Sequence, residues 1–329
     1  MISKRTGFFK EFGEPKPPIE KEILSKQIYE VLKDISLQDL VLLLTNQFEE
    51  IIQYAELSKG KRSCQKMSLL FNPHRLKISS YNKKRGVYYD LKTETFARNL
   101  ARAILYRRYT ENTPINDLLF RIFQWSTGGM FYAHEFPPHV ARDLAIKYGC
   151  NSQSCVLDPC AGWGGRMIGI SIVTNYYECF EPSTETFEGL KKLSDFIVLM
   201  NKDFQAIISN ECFEDSELKP ESYDFALTSP PYYNTEIYCD EETNSCNRYP
   251  NFDSWVDGFY LPLIEKTMIA LKPEKVFILN IGSRVYPLNS ILMDNFNSKY
   301  EICKEKKLLA GISGLGKKGE GESFYVIKK

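Results

Sequence analysis

Val156-Leu157-Asp158-Pro159-Cys160-Ala161-Gly162-Trp163-Gly164-Gly165 is an apolar strand end running into a glycine-rich turn, and Arg166 opens a helical stretch behind it. Gly162, Gly164 and Gly165 allow a sharp reversal and a close approach of backbone to a ligand. Further along, Thr228-Ser229-Pro230-Pro231-Tyr232-Tyr233 follows a second apolar strand, Asp224-Phe225-Ala226-Leu227. Two consecutive prolines remove two backbone donors and fix the chain. The ordered pair of turns points to a cofactor pocket beside a clamp for a planar, amino-bearing group.

Around these turns, short apolar strands alternate with helical stretches. Strands are expected at 155–158, 176–181, 206–209, 224–228 and 275–280, and helices at 166–174, 184–201 and 254–271. That alternation predicts a parallel sheet covered by helices on both faces. The chain end differs: 300–309, a glycine-rich loop and 324–328 read as an antiparallel hairpin.

The first 125 residues have another character. Residues 1–20 read as an exposed arm. Leu24, Ile28, Val31, Leu32 and Ile35 recur at helical spacing, and Ser36 is a candidate N-cap for a second helix over 40–52. Helices are also expected over 93–109, with Phe96, Leu100, Ile104 and Leu105 inward, and over 117–125. This divides the chain into a helical accessory region, 1–125, and an α/β domain, 126–329.

The 42 basic and 42 acidic side chains cancel, so any surface for a polyanion must be a local patch. Two candidates are the strip from His74-Arg75-Leu76-Lys77 to Lys83-Lys84-Arg85, with Tyr81, Tyr88 and Tyr89, and the helix carrying Arg98, Arg102, Arg107 and Arg108. No apolar run is long enough to span a membrane. The charged N-terminus lacks the apolar core of a signal peptide. Nine scattered cysteines fit reduced thiols in the cytoplasm. Cys239 and Cys246 are widely spaced with no histidine nearby, which disfavours a zinc pair.

Glu181 ends the second strand, where an acidic side chain can accept both hydroxyls of a ribose. Residues 209–215 follow the third strand, where a polar cluster could face an adenine ring. No Gly-Lys-Ser/Thr follows the glycine turn, and Asp158 at the strand end disfavours a pyrophosphate while suiting a cationic amino-acid group. In the second turn, the Ser229 hydroxyl and the Pro230 carbonyl can accept the hydrogens of an exocyclic amine. They would draw it towards tetrahedral geometry and support developing positive charge. Tyr232 can stack on the ring that bears it.

These motifs resemble the Rossmann-like S-adenosylmethionine-dependent methyltransferases, over roughly residues 130–329. The resemblance implies a mostly parallel seven-stranded sheet with a C-terminal antiparallel hairpin. It also implies that Asp158, Ala161, Gly162 and Gly164 line the methionine end of S-adenosylmethionine, that Glu181 holds the ribose, and that Cys212, Phe213 and Glu214 lie at the adenine. Glu135-Phe136-Pro137-Pro138-His139-Val140-Ala141 is similar to a family element that opens a helix ahead of the glycine turn, which adds Phe136 and Pro137 to the cofactor set. Ser229-Pro230-Pro231-Tyr232 is similar to the catalytic motif of amino-methyltransferases acting on nucleic-acid bases. Serine in its first position is typical of DNA cytosine-N4 enzymes, whereas Asp or Asn is typical of adenine-N6 enzymes. Many cytosine-N4 enzymes carry this motif ahead of the glycine turn; here it follows.

The expected activity is methylation of a DNA base, single-stranded or flipped from a duplex, with cytosine N4 favoured. Adenine N6, RNA, a protein amide and a non-catalytic nucleic-acid-binding relative remain alternatives. A role in restriction–modification is not separated from a phage or orphan role. Residues 234–251 could close over an extruded base, and Lys317 and Lys318 in the loop 311–321 could touch phosphates.

Overall fold

The computed structural model describes residues 18–45, 47–61, 64, 66–80, 85–105, 130–131, 135–282, 285–305 and 323–329. In chain order its principal helices are α1 (Pro18–Leu32), α2 (Leu37–Leu44), α3 (Gln47–Ser58), α4 (Met67–Phe71) and α5 (Glu94–Leu105). They continue with α6 (Pro138–Lys147), α7 (Gly165–Ile170), α8 (Thr184–Met200), α9 (Leu261–Ala270) and α10 (Leu288–Phe296). The principal strands are β1 (Cys155–Asp158), β2 (Tyr176–Phe180), β3 (Gln205–Ser209), β4 (Tyr223–Thr228), β5 (Leu271–Ile281), β6 (Glu301–Glu305) and β7 (Ser323–Lys328). Two compact units result, one from residues 47–72 with 134–329 and one from residues 1–46 with 73–133.

In the larger unit seven strands form one sheet in the order β6-β7-β5-β4-β1-β2-β3. β7 runs antiparallel to both of its neighbours, and the remaining pairings are parallel. This is the fold class implied by the resemblance. Side chains alternate between the two faces, as the two-residue strand period requires. Val156, Phe225, Leu227 and Ile278 pack against α3, α4, α6, α7 and α8. Leu157, Ala226, Phe277 and Leu279 pack on the other side against α9, α10 and the Trp255–Tyr260 segment. The chain winds outward from β1 to β3 and returns to place β4 beside β1. The carboxyl ends of β1 and β4 therefore flank the switch point where open α/β sheets bind ligands.

Residues 47–72 belong to this unit, although the sequence reading set them in the accessory region. Tyr54, Leu57, Cys64 and Met67 join the core on the α6 side. The buried Arg142 guanidinium donates to the carbonyls of Leu57, Gly60 and Lys61 at 2.7, 3.1 and 2.8 Å, which holds the C-terminal end of α3.

Four expectations change. The single helix expected over 40–52 is two, α2 ending at Leu44 and α3 starting at Gln47. The helix expected to reach 174 ends at Ile170. The stretch 254–271 is a short turn, a π-helical turn at Val256–Tyr260 and then α9. Pro262 lacks an N–H and crowds the preceding turn, which accounts for the wider π turn there. β5 starts at Leu271 and not at 275, and Glu274 adopts φ 62° within it.

In the smaller unit α1 packs along α5. Ser36 caps α2, its hydroxyl accepting the Asp39 amide at 3.0 Å. Phe96 and Leu100 of α5 are buried as expected, and Arg98 is exposed. His74 and Arg75 are buried as well, so of the His74–Lys77 strip only Lys77 reaches the surface. Arg107, Arg108, Lys83, Lys84, the expected helix at 117–125 and the loop 311–321 lie outside the described residues. Among the described residues, no helix is long and apolar enough to cross a membrane. Each of the nine cysteines is a free thiol.

Candidate active site

The turn after β1 is held at almost every amide. Ala161 N–H donates to the Phe180 carbonyl at 2.9 Å and Gly165 N–H to Glu135 Oε1 at 3.0 Å. Gly162 N–H donates to Glu181 Oε2 at 3.1 Å. The Trp163 carbonyl accepts from Asn72 Nδ2 at 3.1 Å, a contact between residues 91 positions apart that no local pattern announces. Gly162 and Gly164 adopt φ +56° and +93°, where a Cβ is disfavoured. Their surroundings differ. A Cβ on Gly164 would lie 2.4 Å from Leu193, whereas one on Gly162 would meet nothing within 4 Å. Gly162 thus borders open space at the switch point. Gly165 has a packing role: a Cβ there would lie 2.2 Å from the Phe136 carbonyl, so α7 sits directly on the segment leading into α6.

Asp158 is wholly buried at the end of β1. Oδ2 accepts from Arg166 Nε at 2.7 Å and from the Tyr177 hydroxyl at 2.6 Å. Oδ1 accepts from the Thr228 hydroxyl at 2.8 Å and from the Cys160 amide at 3.3 Å. These four donors occupy the carboxylate within the protein. Arg166 also donates to the Cys160 carbonyl and lies 5.3 Å from the centre of the Phe136 ring. Burial works to lower the Arg166 pKa, but Asp158, with the Tyr177 hydroxyl and the Cys160 thiol, raises it overall. Phe136 itself is buried, and Pro137 stands at the N-cap of α6. His139 is buried in the first turn of α6, and His134 lies outside the described residues.

Glu181 follows β2. Besides Gly162, it receives the Ser183 amide at 3.0 Å on Oε1. Burial pushes its carboxyl up to about 7, and the two backbone donors oppose that shift. The Asn210 side-chain amide donates to the Glu181 and Pro182 carbonyls at 3.0 and 3.2 Å, joining the ends of β2 and β3. Cys212 is buried, with Sγ 3.5 Å from the Thr243 carbonyl. Phe213 is also buried and stands edge-on to Phe180 at 5.1 Å. Lys266 reaches the carbonyls of Phe213, Glu214 and Ser216, fixing this turn.

At the end of β4 the Thr228 hydroxyl accepts the Cys160 amide at 3.1 Å, so the two turns touch through one oxygen. Ser229 is half-buried, and its Oγ accepts from Asn280 Nδ2 at 3.1 Å. Pro230 is buried; Pro231 and Tyr232 are half-buried. The Tyr232 hydroxyl faces the Asn280 carbonyl at 3.5 Å. Tyr233 takes the left-handed φ of 56°, directs its hydroxyl to the Pro250 carbonyl at 2.7 Å, and packs its ring among Phe252, Trp255 and Tyr286. Asn234 accepts from the Tyr286 hydroxyl at 2.6 Å. Tyr233 is anchored in an aromatic cluster, and the half-buried Tyr232 packs against the same core.

The segment after this turn lies against the glycine turn. The Tyr238 ring stands 5.7 Å from that of Trp163. Glu241 accepts from the Thr184 amide at 3.1 and 3.2 Å and from its hydroxyl at 3.0 Å, capping α8 from a distant part of the chain.

No family model matches the sequence, and no curated protein does. Solved structures are similar to part of this chain, at low identity. A tRNA (m1A58) methyltransferase from Aquifex aeolicus is 14% identical with a TM-score of 0.41, over 59% of this chain and 69% of that one. An rRNA methylase from Streptococcus thermophilus is 12% identical with a TM-score of 0.39, over 59% of this chain and 97% of that one. An S-adenosylmethionine-dependent O-methyltransferase from Thermotoga maritima is 10% identical with a TM-score of 0.40, over 60% of this chain and 67% of that one.

Proposed function

We propose that this protein transfers a methyl group from S-adenosylmethionine to the exocyclic amine of a nucleic-acid base, with cytosine N4 in DNA the preferred target. The observation that carries the reading is the Ser229–Tyr232 turn at the end of β4, bonded through Thr228 to the glycine turn at the end of β1. The residues present fit the cofactor. Gly162 leaves its side-chain position open, and Glu181 directly follows β2, where ribose hydroxyls can donate to it. Ala161, Gly162 and Gly164 shape the wall for the methionine end, Phe136 and Pro137 back it, and Cys212 and Phe213 border the adenine side. Asp158 serves as the buried anchor of the turn. When bound, S-adenosylmethionine supplies an electrophilic methyl on a sulfonium.

The chain's own groups address the weakness of the nucleophile, a nitrogen whose lone pair is delocalised into a ring. The Ser229 hydroxyl and the Pro230 carbonyl accept the amine's hydrogens, localise the lone pair and stabilise charge as it develops. Tyr232 holds the ring in line by stacking. In duplex substrate the base must leave the stack to reach this turn. Exposed Arg98 and Lys77 are candidate phosphate contacts. The substrate class and the base are decided by incubation with methyl-labelled S-adenosylmethionine and DNA, RNA or protein, followed by digestion to nucleosides. Label in N4-methylcytosine supports the full reading, and label in N6-methyladenine keeps the chemistry but moves the target. Full-rate transfer to DNA by Ser229→Ala or Tyr232→Ala overturns the role assignment.

A further inference from the structure

We infer that Asn280, on β5, is a positioning residue that sets the polarity of the Ser229 hydroxyl and thereby selects amines flanked by a hydrogen-bond acceptor. This rests on the proposed base-methylating function and names which edge of the substrate the clamp reads. Asn280 Nδ2 donates to Ser229 Oγ at 3.1 Å, and the Asn280 carbonyl faces the Tyr232 hydroxyl at 3.5 Å, so one residue of the neighbouring strand braces both ends of the Ser-Pro-Pro-Tyr turn. Asn280 is itself 2 % exposed and is fixed by its pairing with Phe324 of β7. It can hold a geometry that the half-buried Ser229 cannot hold alone.

The consequence follows from counting valences. A hydroxyl has one hydrogen and two acceptor sites. The Asn280 amide occupies one acceptor site. One acceptor site and the hydrogen are left to face the cleft. An amine alone uses only the acceptor. An amine whose carbon also bears a ring nitrogen or a carbonyl uses both, through a closed pair of hydrogen bonds. Cytosine N4 with N3, adenine N6 with N1, and a carboxamide have that edge. An isolated aryl or alkyl amine does not.

The test compares single-stranded oligodeoxynucleotides carrying cytosine or adenine with the same strands carrying 3-deazacytosine or 1-deazaadenine, in which the flanking nitrogen is a C–H. Methyl transfer is followed with labelled S-adenosylmethionine, and binding by fluorescence anisotropy with sinefungin present. The wild type is expected to favour the parent bases by about tenfold, the worth of one hydrogen bond. Asn280→Ala should lower kcat by roughly tenfold to a hundredfold through loss of alignment, leave cofactor affinity unchanged and bring the parent-to-deaza ratio to about one. Asn280→Asp is the near-isosteric variant should Asn280→Ala fail to fold. Its carboxylate accepts the Ser229 hydrogen, so above its titration the ratio should again fall to about one. Equal treatment of parent and deaza bases by the wild type, or an undiminished ratio in Asn280→Asp, overturns the inference while transfer itself stands. If no strand is methylated, the catalytic reading fails; a binding preference for the parent bases would still support the polarity assignment, and equal binding would remove it too.

Discussion

The hydroxyl of Thr228 lies 3.1 Å from the amide nitrogen of Cys160 and 2.8 Å from Asp158 Oδ1, so a single side chain couples the end of β4 to the turn that follows β1. Thr228 immediately precedes Ser229, and Cys160 stands two residues before Gly162. The separation of the proposed clamp from the proposed cofactor wall is therefore set by one buried and one part-buried hydrogen bond and not by loop packing alone. Thr228→Val keeps the shape and deletes the hydroxyl. It should destabilise by about 1–3 kcal/mol, because a buried amide and a carboxylate oxygen lose a partner. It should also lower kcat more than it raises KM, since misalignment falls on the transition state. Chemical denaturation and steady-state kinetics check both, and Thr228→Ser should restore most of each.

Asp158 and Arg166 form a buried ion pair, with side chains 1 % and 5 % exposed. Removing one member leaves the other charged and unpaired in a dry interior, so Asp158→Ala or Arg166→Met should each cost about 3–5 kcal/mol. The double variant Asp158→Ala/Arg166→Met should cost less than the sum of the singles. A double-mutant cycle from denaturation midpoints reads this coupling. Additive costs would show that the pair does not anchor the turn as described.

Gly162 and Gly164 both need a left-handed backbone, yet they should fail differently on substitution. Gly162→Ala meets nothing within 4 Å, so its cost is the backbone strain of about 1 kcal/mol. Its methyl projects into the space assigned to the cofactor, and cofactor affinity should fall far more than stability. Gly164→Ala would drive its methyl to 2.4 Å from Leu193 and should be the more destabilising of the two. Melting temperatures and cofactor titration by calorimetry separate the two outcomes.

Glu241 caps α8 through the Thr184 amide and hydroxyl, while Tyr238 of the same segment packs on Trp163. Loss of such a cap costs about 1 kcal/mol. Glu241→Ala should therefore loosen this segment with little effect on global stability and speed release of bound cofactor. Stopped-flow displacement measures the off-rate, and an unchanged rate would mean that the segment does not gate the pocket.

The parts of this molecule that were legible in the sequence are those decided by local pattern. β1 and β4 read as apolar runs because both of their faces are covered, and Ser36 announced α2 because a hydroxyl at that position has a fixed use. What depended on side-chain direction across the sheet was not legible. Asp158 reads as a ligand for a cationic group, but Arg166, eight residues later, turns back from α7 to meet it. Asn72 and Asn280 gave no local signal, since each acts on a turn far away in sequence. The basic strip at His74-Arg75 looked like surface from charge alone, whereas both side chains are buried.

The Glu181 carboxyl, raised to about 7 chiefly by burial, gives the proposed cofactor site a pH dependence whose sign is fixed. Ribose hydroxyls donate hydrogen bonds, so the ionised carboxylate is the better acceptor. Because the pKa is raised, the group gains a proton on acidification through neutrality, well before an ordinary glutamate does. At about pH 6 only about a tenth of the molecules carry the charge, and at about pH 8 about nine-tenths do. Cofactor affinity should therefore rise roughly tenfold between these limits and level off above them. Glu181→Gln removes the titration. It should bind more weakly than the wild type at the alkaline end and show a flat profile, while Gly162 keeps a neutral acceptor at the same place. Isothermal titration at a series of pH values decides the matter: a wild-type profile that is flat across neutrality, or a slope that survives in Glu181→Gln, would assign the titrating group elsewhere.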